Sequence, residues 1–177
     1  MTDALTITRL TPADLPTYAP GLTALLLDAV DDNASVGFTA SLTAEQAAAW
    51  WASLDSDLDE GRVALWAAHD GDRLIGTVQL RSETSPNGRH RAEIAKLLVH
   101  RVARGRGIAR RLLTTAEQFA HASGRTLLML DTQTGSAAEH LYRTAGWSPL
   151  GTVPDYAADP SGTLRPTTFF HKSLAGR

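Results

Sequence analysis

The chain contains no cysteine in its 177 residues. Disulfide bonds, thiolate metal sites and an acyl-cysteine intermediate are therefore excluded. No apolar run approaches the roughly 20 residues that a membrane-spanning helix needs. Basic and acidic residues nearly balance, with a formal charge of −2, and this disfavours a nucleic-acid-binding protein. The composition is that of an ordinary globular protein.

Other signals are also missing from the sequence. The first four residues, Met-Thr-Asp-Ala, do not begin a basic segment followed by an apolar run, so we expect no secretory signal and a cytoplasmic location. Internal repeats, low-complexity tracts and linkers are absent. The length then predicts one domain over residues 1–177 with a sizeable core. The sequence leaves a monomer and a homodimer open.

Apolar periodicity predicts a mixed α/β sheet with hairpins on both flanks and helices between the middle strands. Thr11 and either Ser41 or Thr43 are predicted to cap the first two helices, and Pro16 and Pro20 to break the early part of the first. Two more helices are expected at residues 108–123 and 137–145, and a long loop at 154–162. The predicted strands are residues 5–10, 63–68, 74–80, 92–99, 126–131, 147–153 and 167–173.

A glycine-containing turn between the fourth strand and the following helix is the main functional signal. Gly105 and Gly107 allow backbone angles that other residues resist, and an amphipathic helix begins at Ile108. Unpaired N–H groups at a helix start, with the positive end of the helix dipole, bind phosphate. Four arginines add positive charge nearby: Arg104, Arg106, Arg110 and Arg111. An ordinary tight turn with solvated arginines is the alternative interpretation.

The residues of the turn separate three classes of phosphate ligand. A P-loop needs Lys-Ser/Thr after its last glycine, but Ile108 and Ala109 stand there. A dinucleotide-binding turn needs a small residue where Arg110 stands, although Asp131 lies about where a ribose-binding acid would. We keep an NAD-type enzyme as an alternative.

The third class fits best. The segment Arg104-Gly105-Arg106-Gly107-Ile108-Ala109 resembles the pyrophosphate-binding turn of the GNAT superfamily of N-acetyltransferases. A strand of the type Leu97-Leu98-Val99 precedes that turn in the family. A helix with a tyrosine, ending in glycine and an aromatic residue, follows it, as in the segment from Leu141 to Trp147. All three elements occur in order.

The resemblance implies a mostly antiparallel sheet of six or seven strands, with strands 4 and 5 splayed apart. It implies acetyl-CoA as the acyl donor, with its pantetheine arm between those strands. Ser136 departs from the asparagine often found in the family, but a serine can cap the helix and reach a cofactor oxygen. The implied donor-binding residues are Leu97, Leu98, Val99, Arg104, Gly105, Arg106, Gly107, Ile108, Ala109 and Ser136.

Acetyl transfer to an amine needs a base and benefits from an acid. Tyr142 is implied by its motif position to protonate the departing thiolate. Glu93 and Asp131 are the candidate bases, because each lies on an otherwise apolar strand where burial would raise its pKa. Pairing with Lys96 would favour a structural role for either. No metal site is expected, and without cysteine we expect direct attack in a ternary complex.

Several further segments resemble the tabtoxin-resistance type of acetyltransferase. That likeness implies a small amine-bearing acceptor, such as an antibiotic or toxin, although fold does not fix substrate. The implied acceptor pocket contains residues 34–38, Trp50, Glu93, Asp131 and Tyr156. A non-catalytic acyl-CoA-binding module is a further alternative. The segments that resemble the tabtoxin-resistance type are residues 34–38, 86–88, 91–93, 130–132, 135–136, 154–156 and 159–164.

Overall fold

The computed structural model describes residues 5–174. One seven-stranded sheet has the spatial order β1-β2-β3-β4-β5-β7-β6, and every neighbouring pair is antiparallel except β4 and β5. The mixed, mostly antiparallel sheet expected from the sequence is confirmed. The strands are β1 Thr6–Leu10, β2 Val63–Asp70, β3 Arg73–Ser82, β4 Arg91–Val99, β5 Leu127–Gln133, β6 Ser148–Ala158 and β7 Leu164–Ser173.

Helices cover both faces of this sheet and divide the core in two. Helices α1 and α2, with the short α3, bury apolar residues of β1 and β2 together with Leu98. On the other face, α4 and α5 pack against apolar residues of β2 to β5 and Phe170 of β7. The helices are α1 Leu15–Asp31, α2 Ala44–Ala52, α3 Asp55–Asp59, α4 Ile108–Ala122 and α5 Ala137–Thr144.

The first helix corrects a prediction. Pro16 and Pro20 were expected to break its early part, but α1 runs without interruption from Leu15 to Asp31. Pro16 lies in the first turn, where its missing N–H has no helical acceptor in any case. Pro20 lies inside the helix and forfeits one backbone bond, to the Pro16 carbonyl of the first turn, yet the helix continues past it.

Of the two residues predicted to cap the second helix, Ser41 and Thr43, the structure has Thr43 as the cap. Thr43 accepts a hydrogen bond from the Gln46 N–H at 3.2 Å, and the Gln46 side chain accepts one from the Thr43 N–H at 3.0 Å. This reciprocal pair satisfies two backbone donors at the start of α2. The sequence did not reveal that the helix ends at Ala52 and that α3 follows as a separate turn.

The expected long loop at residues 154–162 is wrong in its first half. Strand β6 continues to Ala158, and its pairing with β7 resumes at Ala157 opposite Arg165 after a bulge. Pro154 and Asp155 lie in this bulge, Asp155 with a φ of 50°. Because the bulge interrupts alternation and takes up a proline, the strand continuation was hidden in the sequence.

Candidate active site

The glycine turn begins α4 as predicted. Gly105 and Gly107 have φ values of 76° and 74°, in the left-handed region. A Cβ built on either glycine would find no atom within 4 Å, so the space above the turn is open. The first backbone bond of the helix runs from the Arg111 N–H to the Gly107 carbonyl at 3.1 Å. The N–H groups of residues 108–110 therefore have no helical acceptor and are free for an anion.

The arginines of this turn carry less free charge than the sequence suggested. Arg104 donates to the Asp32 carboxylate at 2.5 Å and to the Val99 carbonyl at 3.3 Å. Arg106 donates to Asp70 at 2.7 Å. Their acidic partners lie far away in sequence. The backbone N–H groups, rather than solvated arginines, are thus the principal anion-binding feature of the turn.

Strands β4 and β5 separate as expected from the resemblance. Their parallel ladder has three rungs, ending where Glu93 lies opposite Met129. Beyond that rung β4 continues to pair with β3, and β5 continues to pair with β7. The inner edges of both strands, from Ile94 and Leu130 onward, therefore enclose a wedge-shaped gap.

A bulge in β4 lies directly beside this gap. Ala95 pairs with Gln79 and Leu98 with Thr77, so Lys96 and Leu97 together oppose the single residue Val78. Lys96 has a φ of 49°, which is unusual for a residue with a side chain. The bulge reverses the alternation of side chains, so that Leu98 packs against α1 and α2 instead of α4.

One cleft of about 820 Å³ brings nearly all predicted site residues together. It is lined by β4 and β5, by the glycine turn, and by Tyr156 and residues 34–37. Of the residues proposed for donor binding and catalysis, only Arg106 does not line it. The lining residues from that set are Glu93, Leu97, Leu98, Val99, Arg104, Gly105, Gly107, Ile108, Ala109, Asp131, Ser136 and Tyr142.

Tyr142 of α5 is part of the core, and it also lines the cleft. Its ring packs against Trp147 and Phe170, with centroids 6.0 and 6.1 Å away, and its side chain is 6% exposed. Within residues 5–174 its hydroxyl has no protein hydrogen-bond partner. Burial, with a contribution from the Asp131 charge, raises the pKa of Tyr142 above its ordinary value. The phenol therefore stays protonated and is held rigidly.

Glu93 and Asp131 occupy the α1/α2 side of the sheet, on either side of the point where the strands part. Both side chains face the open cleft, yet the surrounding walls remove enough water that desolvation raises the pKa of each carboxyl. The Asp131 charge raises the pKa of Glu93 further, whereas Arg81 and Lys96 oppose the shift. A carboxylate of raised pKa is a better proton acceptor near neutral pH.

Ser136 caps α5 and is partly committed to that role. Its hydroxyl oxygen accepts from the Glu139 N–H at 3.1 Å, and it lies 3.4 Å from the Thr132 hydroxyl. Gly135 donates its N–H to Glu139 at 2.6 Å, which fixes the loop before the helix. The hydroxyl proton of Ser136 can still be donated to a ligand in the cleft.

The predicted acceptor residues divide between two adjoining spaces. Residues 34–37 and Tyr156 line the main cleft. Phe38 and Trp50, whose ring centroids are 5.4 Å apart, line a neighbouring hollow of about 640 Å³. Gly37 and Ala157 border both spaces, so the two lie next to each other.

Asp159 holds this loop in place, a role that the sequence did not assign to it. The buried carboxylate accepts from the Asn33 side chain at 3.3 Å and from Arg165 at 2.8 Å. The hydrogen bond from the Ser161 hydroxyl, and next that from Arg165, keep the pKa of Asp159 well below its ordinary value. Because Asn33 precedes the loop, the β6–β7 hairpin and the acceptor end of the cleft are joined.

A scan against protein-family models decides the family. The model of the acetyltransferase (GNAT) family matches residues 23–147, more than half of the chain. The chain belongs to the GNAT family. The superfamily expected from the turn, the apolar strand before it and the tyrosine helix is thereby confirmed. These findings do not extend to the tabtoxin-resistance type.

Curated GNAT relatives match over part of their length. The chain is 35% identical to rat N-acetyltransferase 8B over 98 residues, which is 54% of this chain and 44% of that protein. It is 33% identical to human N-acetyltransferase 8B over 98 residues, with 54% and 43% of the two chains covered. The chain thus spans less than half the length of the curated relatives it matches.

Solved GNAT-like structures match over almost the whole chain. A ribosomal-protein-alanine N-acetyltransferase from Brucella melitensis superposes with a TM-score of 0.76 at 26% identity, covering 96% of this chain and 99% of that one. A Salmonella typhimurium structure, solved with its cofactor acetyl-CoA, superposes with a TM-score of 0.78 at 19% identity, covering 98% and 96%. The GNAT fold of the chain is therefore shown. Within residues 5–174, no helix is both long and apolar enough to cross a membrane.

Proposed function

We propose that this protein transfers the acetyl group of acetyl-CoA directly to the amine of a small molecule, as one domain over residues 1–177. The observation that carries the proposal is the single cleft, which joins an anion-binding turn, a gap between parted strands, two carboxyls and a buried phenol. Each feature has an alternative structural explanation, but their convergence on one volume matches what ternary-complex acetyl transfer requires. A cytoplasmic location, and a monomeric or homodimeric state, stay predictions.

The donor end of the cleft suits acetyl-CoA. The free N–H groups after Gly107 are placed to bind a pyrophosphate, and the open space above Gly105 and Gly107 lets it approach the backbone. From there the gap between β4 and β5 leads to Glu93 and Asp131. Backbone groups of Leu97 to Val99 on the gap side would bond the amides of a pantetheine arm, as an added strand would.

The carboxyls and the phenol supply the proton transfers. A lysine-like amine is mostly protonated at pH 7, and freeing it costs roughly 4–5 kcal/mol. In the proposed reaction Glu93 or Asp131 takes that proton, directly or through a water. The neutral nitrogen attacks the thioester carbonyl, the N–C bond forms and the C–S bond breaks. Tyr142 gives its proton to the departing thiolate and regains one from the amine by way of solvent or the base.

The alternatives have less support from the fold. A dinucleotide-binding enzyme is built on a largely parallel sheet, whereas here only β4 and β5 are parallel, over three rungs. A non-catalytic acyl-CoA-binding module has no use for two carboxyls of raised pKa beside an unpartnered phenol. A small acceptor of the tabtoxin-resistance kind agrees with a pocket enclosed by residues 34–37 and Tyr156.

Thermal melting and thiol release test the proposal in sequence. Acetyl-CoA at about 100 times its dissociation constant should add roughly 2.7 kcal/mol to the folded state, a shift of several degrees. CoA should shift the melting temperature similarly, and NADH should not. Thiol release in a panel of small amines then reports turnover. A shift with NADH alone, or acetyl-CoA binding without any acceptor-dependent thiol release, would contradict the proposal.

A further inference from the structure

Lys96 stands out because its ammonium lines the acceptor part of the cleft without an ionic partner. Within residues 5–174 no carboxylate lies within 4.0 Å of its Nζ, and it makes no hydrogen bond. The expected alternative, in which Lys96 pairs with Glu93 or Asp131, is therefore not what the structure shows. A lysine ammonium has three donors, and half-buried charges are normally paired.

Two aromatic rings hold the ammonium at the acceptor side. Lys96 Nζ lies 5.4 Å from the centroid of Trp50 and 5.8 Å from that of Phe38. Cation–π contacts of this kind stabilise a partly desolvated cation but leave its hydrogen-bond donors unused. The bulge that gives Lys96 its φ of 49° turns the side chain toward this position. The placement is therefore specific and has a backbone cost, since such a φ is strained for a residue with a side chain.

The loop beside Lys96 offers more unused donors. A Cβ built on Gly37 would lie 3.5 Å from Lys96 Nζ, so the loop and the ammonium are in contact distance. Among the described residues, the backbone N–H groups of residues 35–39 have no hydrogen-bond acceptor. Gly37, with a φ of 87°, bends the loop around the ammonium. A cation beside a loop with free N–H groups is an arrangement that can bind an anion.

Lys96 is thus near the two carboxyls without being paired to either. Its charge acts on Glu93 and Asp131 from beyond ion-pair distance, while its Nζ lies against the rings of Phe38 and Trp50. We propose that the acceptor carries an anionic group, such as a carboxylate, in addition to its amine, and that Lys96 binds this anionic group. This inference rests on the proposed acetyltransferase function and narrows its substrate class. Lys96 is then a specificity-determining residue rather than a catalytic one.

The test compares matched acceptors. A panel of amino acids and dipeptides is assayed beside the corresponding carboxamides, which keep the amine and lose the anionic charge. The wild-type protein should prefer the carboxylate member in kcat/KM by roughly 10- to 100-fold, the range expected for one charge-assisted hydrogen bond. The preference should appear mainly in KM, because the contact is the same in the ground and transition states.

Variants of Lys96 make the test specific. Lys96→Met keeps the length and apolar contacts of the side chain and should abolish the preference, while Lys96→Arg should retain part of it. Acetyl-CoA binding and melting temperature report whether each variant is folded. The inference would be overturned if the wild-type enzyme turned over both members of every pair equally. It would also be overturned if Lys96→Met left the carboxylate-to-carboxamide ratio of kcat/KM unchanged. Neither result would contradict the proposed acetyltransferase function.

Binding measurements keep the two proposals separable. If no amine is acetylated, the same carboxylate and carboxamide pairs are titrated into the CoA-loaded protein by calorimetry. Tighter binding of the carboxylate that disappears in Lys96→Met would support the anion site while the transferase proposal fails. Equal binding of both members would overturn the anion site.

Discussion

Glu93 on β4 lies opposite Met129 on β5 in the last rung of the parallel ladder, and the two strands part beyond it. A candidate base therefore stands at the apex of the gap that we assign to the pantetheine arm. The donor thioester and the acceptor amine would meet at this apex, close to Glu93 and Asp131. The following predictions test the assignments around it.

Replacing Tyr142 with phenylalanine should lower kcat by about 10²-fold or more, the usual contribution of a positioned acid. The melting temperature should change little, because the hydroxyl has no protein partner among the described residues. Steady-state kinetics and thermal melting measure the two effects. Tyr18→Phe is the matched control, since Tyr18 packs on His69 away from the cleft and should leave kcat unchanged. Full activity of Tyr142→Phe on all acceptors would remove its role as the acid.

The pH profile should identify the base. Because burial raises the pKa of both Glu93 and Asp131, kcat/KM should fall with decreasing pH through a value above the ordinary carboxyl range. The isosteric change at the true base, Glu93→Gln or Asp131→Asn, should lower the rate by roughly 10²- to 10⁴-fold and remove this acid limb.

Replacing a charged neighbour of the base should shift the acid limb of the pH profile in a direction that can be predicted. If Glu93 is the base, Asp131→Asn should shift the acid limb to lower pH, because the Asp131 charge raises the pKa of Glu93. Lys96→Met should shift the limb the other way, since the Lys96 charge lowers that pKa. An acid limb that survives in both carboxyl variants at the same pH would exclude both residues as the base.

Gly107→Ala should weaken acetyl-CoA binding by roughly 10- to 100-fold, since a methyl group would enter the open space beside the free N–H groups. The substitution also costs about 1 kcal/mol of stability because of the positive φ. Gly124→Ala is the matched control at the other end of α4, with a φ of 79° and equally open surroundings. It should lose similar stability and bind acetyl-CoA normally. Calorimetric titration compares them, and equal affinities would contradict the assignment of the turn.

A buried ion pair supports the helix that carries Tyr142. Lys172, 5% exposed, donates to both Glu117 carboxylate oxygens at 2.8 and 2.7 Å, and Trp147 donates to the same carboxylate at 2.8 Å. Lys172 also donates to the Ala145 carbonyl at the end of α5.

Lys172→Met should cost about 3 kcal/mol by leaving a buried carboxylate without its cation, a fall of roughly 6–12 °C in melting temperature. Adding Glu117→Met removes that stranded charge, so the double variant should be more stable than the single one. Thermal melting distinguishes these outcomes. A double variant less stable than Lys172→Met would show that the pair itself, rather than the unpaired charge, dominates.

The features that could be predicted from the sequence are those that depend on residues close together in the chain. The turn at Gly105 and Gly107, the helix that follows it and the hairpin at Asp70–Gly71 each depend on residues that are neighbours in the chain. Their positions in the structure agree with the prediction. The family resemblance added the separation of β4 and β5, which no periodicity would have indicated.

What the sequence could not give depends on distant contacts. The partners of Arg104 and Arg106, Asp32 and Asp70, lie on other elements, so the sequence alone predicts unpaired arginines whose positive charge helps to bind phosphate. The bulge at Lys96 is hidden because the run Ile-Ala-Lys-Leu-Leu-Val continues apolar on either side of the lysine. Asp159 lies in a segment that resembles the tabtoxin-resistance type, but its bond to Asn33, 126 residues away in the chain, is evident only from the fold.

The β4 bulge has a consequence for how this protein can change over time. One extra residue both bends the strand beside the gap and places the Lys96 ammonium against Phe38 and Trp50. Deleting it would restore straight pairing with β3, leave Leu98 on the face that it now occupies and remove the ammonium in one event. Insertions and deletions here would alter donor and acceptor sites together. New acceptor preferences would therefore arise by exchanging the side chain at position 96 while the extra residue is retained.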